Sequence, residues 1–198
     1  MSLDGRTLAS TSEDDKVRLW DIRDPAHPRA LPDIRTGDTG GTRWGAFSPN
    51  GQLLATAGAD HDVRLWNVST PTHATALGSP LTGHTGKVTW AGFSPDGRTL
   101  AAASDDRTVL LWDVTDPARP APWGKGLTAG HVDAIETAAY RPNGQLLATA
   151  GLDGTIELTP FGFNETIRRI CHSTIGLLTP DQWSTYIREL PYASPCRG

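Results

Sequence analysis

The fold is decided by the stretch FSPDGRTLAAASDDRTVLLWDV, residues 93–114, because it occurs nearly whole three more times. Aligned on the tryptophan position, the centres of the four copies read ASTSEDDKVRLW (9–20), ATAGADHDVRLW (55–66), AAASDDRTVLLW (101–112) and ATAGLDGTIELT (148–159). Successive copies begin 46, 46 and 47 residues apart. A fixed period of this length, built of strand-like units, is typical of stacked or propeller architectures.

Each copy predicts a strand, a tight turn and a second strand. The turns read SLDG, SPNG, SPDG and RPNG, and an aromatic residue precedes each of the three complete ones: Phe47, Phe93 and Tyr140. Proline presets φ at the first corner of such a turn, and glycine accepts positive φ at a later one. The segments that follow (53–57, 100–103 and 146–150) are short and apolar, which predicts a strand that is buried on both faces.

A second turn and a third strand complete each copy. An aspartate lies six residues before the tryptophan position every time: Asp14, Asp60, Asp106 and Asp153. The strand after it has apolar residues on both faces, since Val109 and Leu111 point one way and Leu110 and Trp112 the other. Sheets of this kind must be covered on both sides, as blades between neighbouring blades are.

Proline-rich linkers follow the first three of these strands, at residues 24–28, 70–74 and 116–120. Proline cannot donate to a strand ladder, so these segments are predicted to be loops. Because they recur at the same point of the repeat, they should cluster on one face.

The spacing of Gly83-His84 and Trp112-Asp113, with about 28 residues between the pairs, resembles the WD-repeat β-propeller family. Related pairs close the first two copies, at Trp20-Asp21 and Trp66-Asn67. The resemblance covers about residues 2–159 and implies an all-β fold of four-stranded antiparallel blades. It also implies a non-catalytic scaffold for protein–protein interaction.

The resemblance implies a buried hydrogen-bond relay inside the blade. Its members would be His84, Ser104, Asp106 and Trp112. The corresponding anchors of the other copies are Asp14, Trp20, Asp60, Trp66, His131 and Asp153. The other copies depart from the pattern: Asp38 stands at the histidine position, Gly58 and Gly151 at the serine position, and Thr159 at the last tryptophan position.

The repeats, at about residues 2–22, 34–68, 80–114 and 127–159 of a portion spanning 1–160, do not complete a ring. They predict roughly three and a half blades, whereas propellers have about four to eight. We therefore expect an open arc with an exposed half-blade at its N-terminal end. Such a chain would be the C-terminal part of a longer propeller, or would close its ring with another copy.

Residues 161–198 have a different pattern, which predicts a short helical tail. Asn164 is a plausible helix N-cap, TPDQ (179–182) fits a capping box, and Trp183 begins an apolar helical face. The segment resembles the tails of large bacterial multidomain proteins, which carry a kinase, a helix-turn-helix or a signalling nucleotidase upstream. The alternative function is therefore the sensor or regulatory module of such a protein. Cys171 and Cys196 both lie in this tail, and the sequence allows either a disulfide between them or two free thiols.

Composition excludes several other classes. The net charge of −4 gives no general attraction to nucleic acid, and no apolar run approaches the roughly 20 residues that span a bilayer. No secretory signal pattern is present, so a cytoplasmic location is expected.

No residue pattern predicts a cofactor, a metal site or a catalytic site. His27 and His73 recur in equivalent loops but lack further ligands in metal-binding spacing. A propeller hydrolase or lyase would need polar side chains that converge on the central channel. The best candidates for binding a partner are the proline-rich loops and the turn tips near His61 and Arg107.

Overall fold

The computed structural model describes residues 1–124, 126–128 and 130–160, which form four antiparallel sheets in chain order. The first contains β1 (Thr7–Thr11), β2 (Lys16–Asp21), β3 (Arg29–Ala30) and β4 (Ile34–Arg35). The second contains β5 (Thr42–Phe47), β6 (Leu53–Gly58), β7 (Val63–Asn67) and β8 (Thr75–Leu81). The third contains β9 (Val88–Phe93), β10 (Thr99–Ser104), β11 (Thr108–Asp113), β12 (Ala121–Pro122) and β13 (Leu127–Thr128). The fourth contains β14 (Ile135–Tyr140), β15 (Leu146–Gly151) and β16 (Ile156–Pro160). The one helical element among these residues is a single 3-10 turn at Pro71–His73.

The sheets are offset from the sequence repeats. The strand that opens the predicted repeat 34–68 is β4, which pairs with β2 and so completes the preceding sheet. The first sheet is consequently more than the predicted half-blade, because β3 and β4 both extend it beyond β2. What it lacks, within the described residues, is a strand on the other side of β1.

The proline-containing turns form as predicted and are fixed by side chains. The Ser48 hydroxyl accepts the Leu53 amide at 2.9 Å and donates to Asn50 Oδ1 at 2.7 Å. Gly51 closes the turn at φ +70°, which a residue with a Cβ adopts only with strain. The turn therefore sets the register between β5 and β6.

The second strand of each sheet is the most enclosed. All six residues of β6 are buried, and so are five of the six in β10. Alanines on these strands let the neighbouring sheets approach closely, so the prediction of strands buried on both faces is confirmed for both. In the fourth sheet β15 is only partly buried.

Apolar contacts join successive sheets through the same positions. Val17 and Leu19 of the first sheet pack with Leu54, Trp66 and Val68 of the second. The next interface repeats this arrangement with Val63 and Leu65 against Leu100, Trp112 and Val114. In the part of the chain that the structure describes, no sheet covers either end of the series, where Leu8 is 39% exposed and Leu158 60%.

The predicted helical tail, with Asn164, Trp183, Cys171 and Cys196, lies outside the described residues. No helix among those that are described is long and apolar enough to cross a bilayer.

Candidate functional site

Two kinds of connection meet at one end of the strands and form what we call the relay face. They are the segments before β5, β9 and β14 and the turns after β1, β6, β10 and β15. A groove of about 840 Å³ opens on this face. All four sheets contribute to its lining: Thr11, Ser12, Glu13, Thr42, Arg43, Trp44, Lys87, Thr89, Asp105, Asp133, Ala134, Glu136 and Leu152.

The third sheet carries the predicted pair of His84 and Asp106. His84 Nδ1 lies 3.0 Å from Asp106 Oδ2, which also accepts the Thr85 amide at 2.8 Å. Thr108 donates its hydroxyl to the other carboxylate oxygen at 2.6 Å. The aspartate thus ties the turn after β10 to the loop before β9.

The pKa values of this pair favour a neutral imidazole beside a carboxylate. Burial lowers the pKa of His84 and outweighs the opposing effect of the Asp106 charge. Burial acts to raise the pKa of Asp106, but hydrogen bonds from Thr108, Thr85 and His84 together lower it to about 2. His84 therefore donates Nδ1–H to a charged acceptor, and Nε2, which carries no proton, can only accept a hydrogen bond.

Ser104 does not link His84 to Trp112, and this part of the predicted relay is corrected. Its hydroxyl accepts the amide of Asp106 at 3.1 Å and so braces the turn. The rings of His84 and Trp112 meet edge-on with centroids 6.3 Å apart. His84 Nε2 is buried without a hydrogen bond of ordinary geometry, although the Ala102 backbone lies close enough to favour its protonation.

The relay hydroxyl comes instead from a position ten residues before the tryptophan. Trp66 Nε1 donates to Thr56 at 2.9 Å, and Trp20 Nε1 approaches Ser10 at 3.4 Å. Thr56 lies diagonally across from Trp66, because Leu54 is the direct partner of the indole and side chains alternate along β6. Ser104 is the last residue of β10, two residues beyond this position, and its hydroxyl is engaged by the Asp106 amide of the turn. In the third copy the hydroxyl position is occupied by Ala102, so that relay is interrupted.

The fourth sheet contains the most complete histidine relay of the described residues. His131 Nε2 lies 2.9 Å from the Thr149 hydroxyl, and Nδ1 lies 3.1 Å from Asp153 Oδ2. Hydrogen bonds to Asp153, first that of Thr155, lower the pKa of this carboxyl. Thr159 stands where the indole would be, so the relay ends at Thr149.

The second sheet replaces the histidine–aspartate pair by two carboxyl groups, those of Asp38 and Asp60. Asp38 is 1% exposed; its Oδ2 accepts the Thr42 hydroxyl at 3.3 Å, and its Oδ1 has no donor. Burial and the neighbouring Asp60 raise the pKa of Asp38 to about 7. Asp60 stays charged because the Arg64 guanidinium holds it at 2.6 Å, which offsets its own burial.

Gly58 makes room for this carboxyl pair. A Cβ at Gly58 would lie 1.6 Å from Asp38 Oδ2, so no larger residue fits beside the carboxyl group. Asp14 of the first copy has yet another partner, the exposed Arg18. The predicted aspartate anchors thus share a position but differ in what they hold.

The turns after β1, β6 and β10 hold side chains on strained backbone at their tips. Asp15, His61 and Arg107 have φ values of +61°, +73° and +70°, and Gly154 takes the same place at +76°. Positive φ costs a residue with a Cβ roughly 1–2 kcal/mol relative to glycine. In three copies a polar side chain is therefore kept at a position that glycine would fill with less strain.

The proline-rich loops lie at the opposite end of the strands, on what we call the proline face. Arg23 and Thr72, which border two of them, line one cavity of about 440 Å³ between the first two sheets. Ala118 of the third loop lies against Gly78 of the second sheet. The proline-rich loops and the turn tips, which are the two regions predicted to bind a partner, therefore lie on opposite faces. His61 belongs to the relay face and His27 and His73 to the proline face, so these three histidines do not form one site.

The repetition of sheets of three to five strands, each packed on the next, defines a repeat protein of the blade type. A sequence profile for the family described as "WD domain, G-beta repeat" matches residues 1–21, 36–67, 75–113 and 125–158. The chain belongs to this WD40 family. A comparison with curated protein sequences found no match.

Within residues 1–124, 126–128 and 130–160, no three His, Cys, Asp or Glu side chains gather as metal ligands would. Repeats of this family generally mediate protein–protein interaction or scaffolding and are typically non-catalytic.

Proposed function

We propose that this chain is a non-catalytic scaffold that binds a protein partner at the relay face. The observation that carries the proposal is the groove of about 840 Å³, to which all four sheets contribute side chains. The carboxylates of Asp106 and Asp153 fix the surrounding loops to the strands, so the groove has a defined shape before a partner arrives. A preorganised surface loses less conformational entropy on binding.

The charges of the groove favour a partner segment with exposed cationic side chains. Four carboxylates line it, those of Glu13, Asp105, Asp133 and Glu136, against the two cations Arg43 and Lys87. An excess of carboxylates repels phosphate backbones and supports a protein partner rather than nucleic acid.

The turn tips supply the specificity of the proposed surface. His61 and Arg107 stand on left-handed backbone in the turns after β6 and β10, which belong to the relay face. Strained residues of this kind cluster at functional sites, because the surrounding structure has to hold them in place.

Site-specific cross-linking tests the proposal. A photoreactive amino acid at Arg107 of the full chain should cross-link the same cellular protein in repeated experiments, and His61→Gly should reduce the yield about tenfold. Glycine is compatible with φ +73° at this position, so the variant removes a side chain without straining the turn.

The matched control has the photoreactive residue at Arg119, on the proline face, where the side chain is 88% exposed. Equal yields from both faces, or no effect of His61→Gly, would contradict a docking site at the relay face.

Two finer assignments accompany this proposal. We propose that one partner is a second copy of the chain, since the series of sheets has open ends, and that the protein acts in the cytoplasm, away from membranes. The alternative function is that of a sensor or regulatory module within a larger bacterial signalling protein. It predicts that the relay-face cross-links connect this chain to a kinase, a helix-turn-helix or a nucleotidase domain.

A further inference from the structure

The exposed ends of the series carry the two halves of an interface that the chain already uses internally. On the equivalent strands β2, β7 and β11, Val17, Val63 and Val109 are at most 1% exposed, whereas the equivalent Ile156 on β16 is 72% exposed. Two residues further along the same strands, on the same face, Leu65 is 2% exposed, whereas the equivalent Leu158 is 60% exposed. We call the surface of Ile156 and Leu158 the trailing face.

The opposite end shows the complementary half. Leu54, Leu100 and Leu147 are fully buried under the sheet that precedes each of them, but the equivalent Leu8 is 39% exposed. Trp20 and Ile22, at the positions of Trp66 and Val68, are half-buried. We call the surface of Leu8, Trp20 and Ile22 the leading face.

Inside the chain a trailing-type surface always packs on a leading-type surface. Val17 and Leu19 pack on Leu54, Trp66 and Val68, and the second interface repeats this pairing one period later. The residue types at the two ends are the same: Ile and Leu on one side, Leu, Trp and Ile on the other. The best geometric match to the trailing face is therefore the leading face of another copy.

We propose that two copies of the chain associate head to tail, with the trailing face of each against the leading face of the other. Each copy contributes four sheets, so two copies form a ring of eight, at the upper end of the range of about four to eight blades in propellers. Closure satisfies both apolar faces of both copies, whereas a contact of like faces would leave one pair exposed. This inference rests on the self-association part of the proposed function and gives it a surface.

The test is the solution mass of the full 198-residue chain by light scattering during gel filtration. The expected mass is twice the 21.2 kDa of one chain. Leu158→Lys and Leu8→Lys should each yield monomers and weaken association at least about 100-fold, because each places a charge in an apolar contact. Glu157→Gln is the matched control: it changes the net charge by the same amount on the same strand, from the adjacent position that points to the other side.

A mixture of the two lysine variants identifies the mode of contact. One intact trailing face and one intact leading face remain in the mixture, so dimers should reappear although each variant alone is monomeric. If Leu8→Lys stays dimeric while Leu158→Lys does not, like faces pair, and the proposal is wrong. A monomeric wild-type chain at all concentrations would also overturn it.

A third outcome assigns the trailing face to residues 161–198 instead. In that case Leu158→Lys would leave the mass at that of one chain and speed the proteolysis of those residues. Circular dichroism confirms folding of each variant, which is expected because both leucines are exposed in the single chain. Cross-linking at Arg107 measures partner binding at the relay face independently of the mass. A chain that does not dimerise can therefore be distinguished from one that has no docking site at the relay face.

Discussion

The second and fourth sheets share the sequence of one strand, but only the second sheet is enclosed. Strand β6 of the second sheet reads LLATAG and is wholly buried, whereas β15 of the fourth sheet also reads LLATAG and is only partly buried. The difference comes from neighbours, since the second sheet lies between two others and the described fourth sheet has one. Repeats of equal sequence are thus unequal in energetic importance, and substitutions at equivalent positions measure the difference.

The largest effect is expected from truncating the same leucine in the two sheets. Leu65→Ala should lower the free energy of unfolding by about 2–4 kcal/mol, because it leaves a cavity between two sheets. Leu158→Ala should change it by less than about 1 kcal/mol at concentrations where the chain is monomeric, since the side chain is exposed. Urea unfolding of both variants measures the two values. Equal losses would show that the trailing face is covered.

The carboxyl pair of the second sheet predicts a pH dependence that the third sheet lacks. The folded-state pKa of Asp38, about 7, is above its ordinary value of 3.8. The protonated carboxyl group therefore contributes fully to the free energy of unfolding below pH 4, and this contribution is lost as the pH rises to 7. Asp38→Asn should therefore stabilise the chain by about 1–3 kcal/mol at pH 8 and have little effect at pH 4. Thermal unfolding across this range tests it, with Asp106→Asn as the comparison. That variant should destabilise at pH 8, because the pKa of Asp106 is lowered. A pH-independent effect of Asp38→Asn would contradict the raised pKa of Asp38.

The relay of the fourth sheet can be converted into the interrupted form found in the third. Thr149→Ala removes the hydroxyl that His131 Nε2 contacts and leaves that nitrogen as unpaired as His84 Nε2. The expected cost is about 1–2 kcal/mol, measured by chemical denaturation. The reverse change, Ala102→Ser, should recover part of that amount by giving His84 a partner. If both changes are neutral, the relay has no energetic weight in this chain.

The smallest effect is expected at the turn tips. Arg107→Gly should stabilise the chain by about 0.5–1 kcal/mol, because glycine adopts φ +70° without strain. Gly154→Arg is the opposite change at the equivalent position and should destabilise by a similar amount. Differential scanning calorimetry resolves shifts of this size in the unfolding temperature. Destabilisation by Arg107→Gly would mean that the arginine makes a contact that outweighs the strain.

The repeating architecture was predictable because it depends on local signals. The turn glycines, the alternation along the strands and the spacing of the aspartates all act within about 20 residues, and the structure has the main strands where these signals place them. The prediction of paired His84 and Asp106 also succeeded, since both flank elements that the register brings together.

What the sequence did not reveal depends on pairing between strands. Thr56 and Thr149 were missed as relay hydroxyls, although strand alternation puts Thr56 on the face of Trp66. Ser104 is at the end of β10, where its hydroxyl accepts from the turn. The environment of Asp38 was also missed: its position was recognised as a histidine replacement, but its apposition to Asp60 needs the packing against Gly58. Whether an apolar strand is buried cannot be derived from its own residues, as the contrast between β6 and β15 demonstrates.

The offset between sequence repeat and sheet has a consequence for how such a chain changes in length. An outer strand of the first sheet and one of the third come from the following repeat. A duplication of about 46 residues therefore inserts the strands of one whole sheet and leaves the pairing within the neighbouring sheets intact. Every inserted unit arrives with both halves of the contact between sheets, so no new contact has to evolve. Growth by recombination therefore costs this architecture little, and the number of blades can vary among genes more readily than the residues inside each blade.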